Sequence, residues 1–123
     1  MSLSDLNQRV TNAITLAEGL PKDSPRAWAA FREVSKLEEE IASLTSPQDL
    51  EGEIARLGAV ASALSAKEPL RALRLGEQYV AHGLAADVAA KLQSLLDSAE
   101  QQVDALLEHE PTVEPARFTL TAV

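Results

Sequence analysis

The stretch PLRALRLGEQYVAHGLAADVAAKL, residues 69–92, decides the fold. Leu70, Leu73, Glu77 and Val80 keep the three-four spacing of one helix face, after which the pattern steps by four through Leu84 and Val88 to Leu92. Alternating threes and fours hold a stripe on one side of a helix of 3.6 residues per turn, whereas repeated fours rotate it away. Such drift marks either a break or a change of supercoil phase. His82 followed by Gly83 suits a helix end, but no Ser, Thr, Asp or Asn comes next to cap a new start. A break gives helices over about 69–82 and 84–110. A continuous helix from Pro69 to Glu110 would extend about 60 Å and project a seam that a second copy, in a homodimer, would cover.

Outward from this stretch the spacing is regular. Leu3, Leu6, Val10, Ala13, Ala17 and Leu20 form one stripe, and Ala27, Ala30, Val34, Leu37, Ile41 and Leu44 a second. Leu50, Ile54, Leu57, Ala61 and Leu64 form a third, and Val88, Leu92, Leu95, Ala99, Gln102 and Leu106 a last one interrupted by a polar member. These predict helices over 3–18, 25–44 and 47–66 before the fork at Gly83. Ser2 is the expected first N-cap, with Asp5 three positions on, and Gly19 the left-handed C-cap, with Leu20 folding back on Ile14 before Pro21. Ser24-Pro25 and Ser46-Pro47 repeat one device, a serine cap followed by a proline whose missing N–H costs nothing at the first helical position. Joints this short force antiparallel neighbours. The expected architecture is an all-α antiparallel four- or five-helix bundle over residues 1–110.

Leu75-Gly76-Glu77-Gln78-Tyr79 together with Gly83 resembles the first helix and turn of a tetratricopeptide repeat. The resemblance implies a helix hairpin whose members approach closely at the small residue. Ala72 stands where that family carries tryptophan, Val88 where it carries a packing alanine, and no second copy lies roughly 34 residues away, so the likeness covers about one repeat.

After Glu110 the period changes. Pro111 and Pro115 are expected to stop the helical pattern, and Phe118, Leu120 and Ala122 alternate with threonines as in an extended strand. Residues 111–123 therefore read as an extended or disordered tail, expected to lie along a groove, to pair with another chain, to stay disordered or to lead into a further domain.

Composition limits the function classes. The chain of 123 residues carries a formal charge of -8, and beyond Leu75 only Lys91 and Arg117 oppose eight carboxylates. Direct nucleic-acid binding is disfavoured, because it rests on clustered Lys and Arg. Without cysteine there is neither a disulfide framework nor a thiolate metal site, and no apolar run is long enough to span a membrane. Cytoplasm is the expected location.

The catalytic inventory is thin. A di-iron bundle needs Glu-x-x-His on two helices, yet Tyr79 and Leu106 stand three residues before His82 and His109. The five glycines are scattered, so no phosphate loop exists, and no Gly-x-Ser-x-Gly elbow is present. The expectation is a protein without enzymatic activity or cofactor, a scaffold or interaction module that docks on a protein partner, with an acidic inhibitor or nucleic-acid mimic as the alternative. The partner-binding candidates are Trp28 and Phe31 on the second helix and Phe118, Leu120 and Val123 in the tail. Lys67, Arg71 and Arg74 form a basic stripe expected to pair with the acidic last helix, and Glu38-Glu39-Glu40 is expected to face solvent.

Overall fold

A computed structural model describes residues 2–113, with side chains as far as Glu108. Its helices are α1 (Leu3–Glu18), α2 (Pro25–Ser43), α3 (Leu50–Ser65), α4 (Pro69–Val80) and α5 (Ala86–Val113). α2 packs on α1 and α3, α3 also touches α4 and α5, and α4 packs on α5. The fold is an all-α bundle of five helices within these residues. Two of its joints meet at one end, where the Gln48 side-chain amide donates to the Gly83 carbonyl at 3.0 Å. At the other end the α1–α2 turn and the α3–α4 joint are linked by Lys67 and Asp23 at 3.6 Å.

The fork at Gly83 is resolved as a break. Gly83 has φ +74, a left-handed conformation that suits glycine. α4 ends at Val80, short of the expected 82, and the His82 amide closes the turn on the Tyr79 carbonyl at 2.9 Å. The missing cap at the next start is supplied in part by Asp87, whose carboxylate accepts from the Val88 amide at 3.0 Å.

The cap residues Ser2 and Ser24 behave as their sequence context predicts, accepting from the Asp5 and Ala27 amides. Gly19 does not. Its φ is -85, and its amide donates to both the Thr15 and Leu16 carbonyls, so the helix tightens at its end instead of reversing through a left-handed cap. The reversal falls on Asp23, at φ 55. A methyl group at Gly19 would meet nothing closer than the Thr15 oxygen at 3.5 Å. Gly19→Ala should therefore raise stability in urea unfolding by about 0.5 kcal/mol, since alanine restricts the unfolded chain; a left-handed glycine would show a loss.

Three further expectations are corrected. Helix three starts at Leu50, not at Pro47, because Ser46 builds a turn instead: its hydroxyl accepts from the Gln48 amide and its carbonyl from the Asp49 amide. α5 begins at Ala86 and runs to Val113, past the expected stop at Pro111; a proline this close to a helix end loses one ladder bond and crowds the carbonyl four residues back, which disturbs the last turn and not the helix as a whole. The tail therefore begins after this helix, and the expected extended segment, from residue 114 on, lies outside the described residues.

The third correction concerns which faces are buried. α3 turns Gly52, Ala55, Ala59 and Ala63 inward, while Leu50 and Ile54 stay 72% and 57% exposed. α4 buries Ala72, Leu75, Gly76 and Tyr79 and leaves Leu70 and Val80 outside. Small residues win because they let helix backbones come close: a methyl at Gly76 would collide with Leu96 of α5, and one at Gly58 with the Glu38 carboxyl of α2. α5 buries Val88, Leu92, Leu96 and Ala99, and its expected member Leu106 is exposed. The core joins these residues to Leu6, Val34, Leu37, Ile41 and Val60.

Candidate functional site

Three groups of side chains could carry chemistry, and each is built by the close packing of α3. The first lies at the Gly83 end. Arg56, 4% exposed, donates Nε to His82 Nδ1 at 3.1 Å, Nη1 to the Gly52 carbonyl at 3.0 Å and Nη2 to the Thr45 carbonyl at 3.1 Å. Its guanidinium lies 5.7 Å from the Tyr79 ring centroid. Burial pulls Arg56 below its usual pKa. Among the described residues no carboxylate bonds it; the Gly52 and Thr45 carbonyls, the second just past the end of α2 where the helix dipole is negative, hold the charge with His82 Nδ1. This cluster ties two joints together, and because each guanidinium nitrogen already donates one bond and the side chain is buried, it offers little to a ligand.

Tyr79 beneath it is buried, and its hydroxyl has no hydrogen-bond partner among the described protein atoms. Burial, with Glu39 nearby, pushes the phenol up to about 12 against the opposing pull of Arg56, Arg71 and Arg74. Tyr79→Phe keeps the ring under Arg56 and removes the unpaired hydroxyl. Thermal and urea unfolding should show it more stable by about 1 kcal/mol.

The second group crosses from α2 to α4. Ser35, fully buried, donates Oγ to the Ala59 carbonyl at 2.7 Å and accepts from Arg71 Nε at 3.0 Å, while Arg71 Nη2 bonds Glu39 at 2.8 Å. The serine proton is thus committed and out of solvent, so Ser35 acts as a packing link. Beside it Glu38 is only 8% exposed, and desolvation raises its carboxyl pKa to about 7. Two expectations fall here. Glu38 does not face solvent, because it stands four residues after Val34 and three before Ile41, on the buried side of α2. The basic stripe pairs with α2 and the α1–α2 turn, not with α5: Arg71 bonds Glu39, and Lys67 faces Asp23.

The third group is a cleft of about 460 Å³ at the opposite end. Ala17, Ala27, Phe31 and Leu64 make its apolar wall, and Glu18, Lys22, Asp23 and Lys67 its charged rim. Asp23 and Lys67 are the two non-glycine residues with positive φ, 55 and 61, among those described. Conformations of this kind concentrate at functional sites.

Of the residues singled out in the sequence, Phe31 lines this cleft and is half-buried. Trp28, one turn earlier, is also half-buried, with its Nε1 enclosed and without a hydrogen-bond partner among the described atoms. Phe118, Leu120 and Val123 lie outside the described residues. Arg56, Ser35 and Glu38 were missed, since polar residues inside a three-four pattern read as interruptions. Among the described residues no three His, Asp or Glu side chains are grouped to hold a metal, and no helix is long and apolar enough to cross a membrane. No family model, curated protein or solved structure matches the chain.

Proposed function

We propose that this protein is a non-enzymatic interaction or scaffold module, cytoplasmic in setting, that docks on a protein partner through α3. One observation carries the reading: Leu50, Ile54, Leu57 and Ala61 keep the four-three-four spacing of a helix-packing seam, yet Leu50 and Ile54 are exposed, Ala61 is only half-buried, and Leu57 reaches the core with part of its surface left open. Leu57, Gly58 and Ala61 continue into a shallow, largely apolar groove against Lys91, Ser94 and Leu95 of α5. An apolar stripe at helical spacing is the surface into which a partner helix packs. Leaving it open in water is unfavourable by roughly 1.5–3 kcal/mol per large side chain relative to covering it.

The double variant Leu50→Glu, Ile54→Glu tests this. Because both side chains are exposed, its melting temperature should stay within a few degrees of the parent. A partner cross-linked to a photoreactive probe at position 57 of the parent should be lost from the variant. A second copy as that partner would appear as a concentration-dependent rise in solution mass. Identical cross-links and mass in parent and variant would remove the proposal.

The alternative, an acidic mimic of nucleic acid, draws support from α5, where Asp87, Asp97, Glu100 and Asp104 are all exposed. It requires a complex whose affinity falls steeply with added salt. A seam-mediated complex should change little over the same range.

A further inference from the structure

We propose that the cleft between the α1–α2 turn and the α3–α4 joint binds a free α-amino acid with a large apolar side chain, that side chain inside and the ammonium and carboxylate on the rim. This is a different surface from the α3 seam, and either assignment can fail without the other. The first observation is the backbone beneath two of the rim charges. α3 ends in a Schellman turn, in which the Lys67 amide donates to the Leu64 carbonyl at 3.0 Å and the Glu68 amide to the Ala63 carbonyl at 2.9 Å. Glycine is the ordinary residue at the left-handed position of that turn, yet Lys67 occupies it at φ 61. Across the cleft Asp23 is left-handed as well, at φ 55. Neither conformation serves burial, because the two side chains stay 51% and 76% exposed. Together they hold a cation and an anion 3.6 Å apart at the mouth of the cavity.

The rim selects the ligand by charge. Glu18 and Lys22 add one charge of each sign, so the mouth is balanced and draws in neither a simple anion nor a simple cation. An ion of one sign would satisfy one member of the Asp23–Lys67 pair at the expense of the other, whereas a zwitterion satisfies both. In an α-amino acid the ammonium nitrogen and the carboxylate carbon stand roughly 2.5 Å apart, as backbone bond lengths and angles require. Laid against a pair at 3.6 Å they complete an alternating square, ammonium to Asp23 and carboxylate to Lys67. The side chain on the α-carbon then enters the cavity. Ala17 and Ala27 leave room there that larger residues would fill, and Phe31 and Leu64 supply apolar contact. A volume of about 460 Å³ lies within the roughly 300–1,000 Å³ of small-ligand sites.

Amide NMR of the full chain, titrated with L-phenylalanine, tests this. The signals of Ala17, Asp23, Ala27, Ser65 and Lys67 should move together and saturate with a Kd of about 1 mM. 3-Phenylpropionate, which lacks the ammonium, and phenethylamine, which lacks the carboxylate, should each bind about fivefold more weakly, the worth of a partly exposed ion pair. Lys67→Gly and Asp23→Asn suit the left-handed backbone and remove one charge each. Both should keep the melting temperature of the parent while affinity for L-phenylalanine falls by about the same fivefold factor. Four results overturn the proposal. These are no saturating shift by about 10 mM, either analogue binding as tightly as the amino acid, shifts centred on Leu57, Ala61 and Leu95 of the α3–α5 groove, or undiminished affinity in both variants.

Discussion

Gly52→Ala should destabilise the protein by about 3 kcal/mol, even though alanine is the better helix former by about 1 kcal/mol. Gly52 lies in the first turn of α3, and a methyl group there would fall onto the Ser46 carbonyl oxygen, 2.7 Å from its carbon and 2.9 Å from Arg56 Nη1. Both obstacles are held in place. The Ser46 carbonyl accepts the Asp49 amide at 3.1 Å, and Arg56 is fixed by the Gly52 and Thr45 carbonyls. Relief requires moving backbone, which also stretches the bonds that compensate a buried guanidinium. In a domain of this size the loss corresponds to a fall in melting temperature of roughly 10 °C. Gly76→Ala is the informative comparison. Its methyl meets the flexible end of Leu96, which can rotate, so its cost should be smaller. Equal effects at the two sites would mean that the Ser46 turn is softer than its hydrogen bonds imply.

The same contrast explains how much of the fold could be read in the sequence. Helix existence and number follow from spacing and punctuation: Ser2, Ser24-Pro25, Pro69 and Gly83 all lie within about three residues of a real boundary. Orientation did not follow. α3 carries two stripes with compatible spacing, Leu50-Ile54-Leu57-Ala61 and Gly52-Ala55-Ala59-Ala63, and hydrophobicity favours the first. Tertiary packing selects the second, since three neighbouring helices cannot approach α3 over leucine and isoleucine as closely as over glycine and alanine. α4 repeats the choice, burying Ala72 and Gly76 while Leu70 stays outside. α3, the helix with three neighbours, is thus the one for which apolar size is the poorest guide to burial.

The candidate sites follow from that outcome. Arg56 is one residue from Ala55 on the small-residue face, so rotating α3 inward carries it into the core, where only the joint carbonyls and His82 can satisfy it. The rotation that buries Arg56 exposes Leu50 and Ile54. The interior polar cluster and the outer seam are therefore two faces of one packing decision, and assigning leucine to the core first conceals both. Phe31, a candidate from the sequence, stands at the cleft wall on α2, the helix that also buries Ser35 and Glu38.

Glu38 offers the second large effect, and it is one of pH. An unfolded glutamate titrates near 4.5, whereas burial raises Glu38 in the fold to about 7. Between these values the folded protein holds a proton that the unfolded chain has released, so stability from this group is fully present below pH 4.5 and declines as pH rises through 7. The total is about 3 kcal/mol, because each tenfold change in proton affinity is worth about 1.36 kcal/mol. Glu38→Gln keeps the shape that lies against Gly58 and removes the charge. Measured by urea unfolding, the variant should match the parent near pH 4.5 and exceed it by about 3 kcal/mol at pH 8, the difference growing steadily between. Other carboxylates cancel in this comparison, because both proteins carry them. Glu40→Gln, at an exposed position of the same helix, tests the cause. If the Glu40 substitution produced the same pH-dependent gain, net charge would be responsible, and the desolvation of Glu38 against α3 would not.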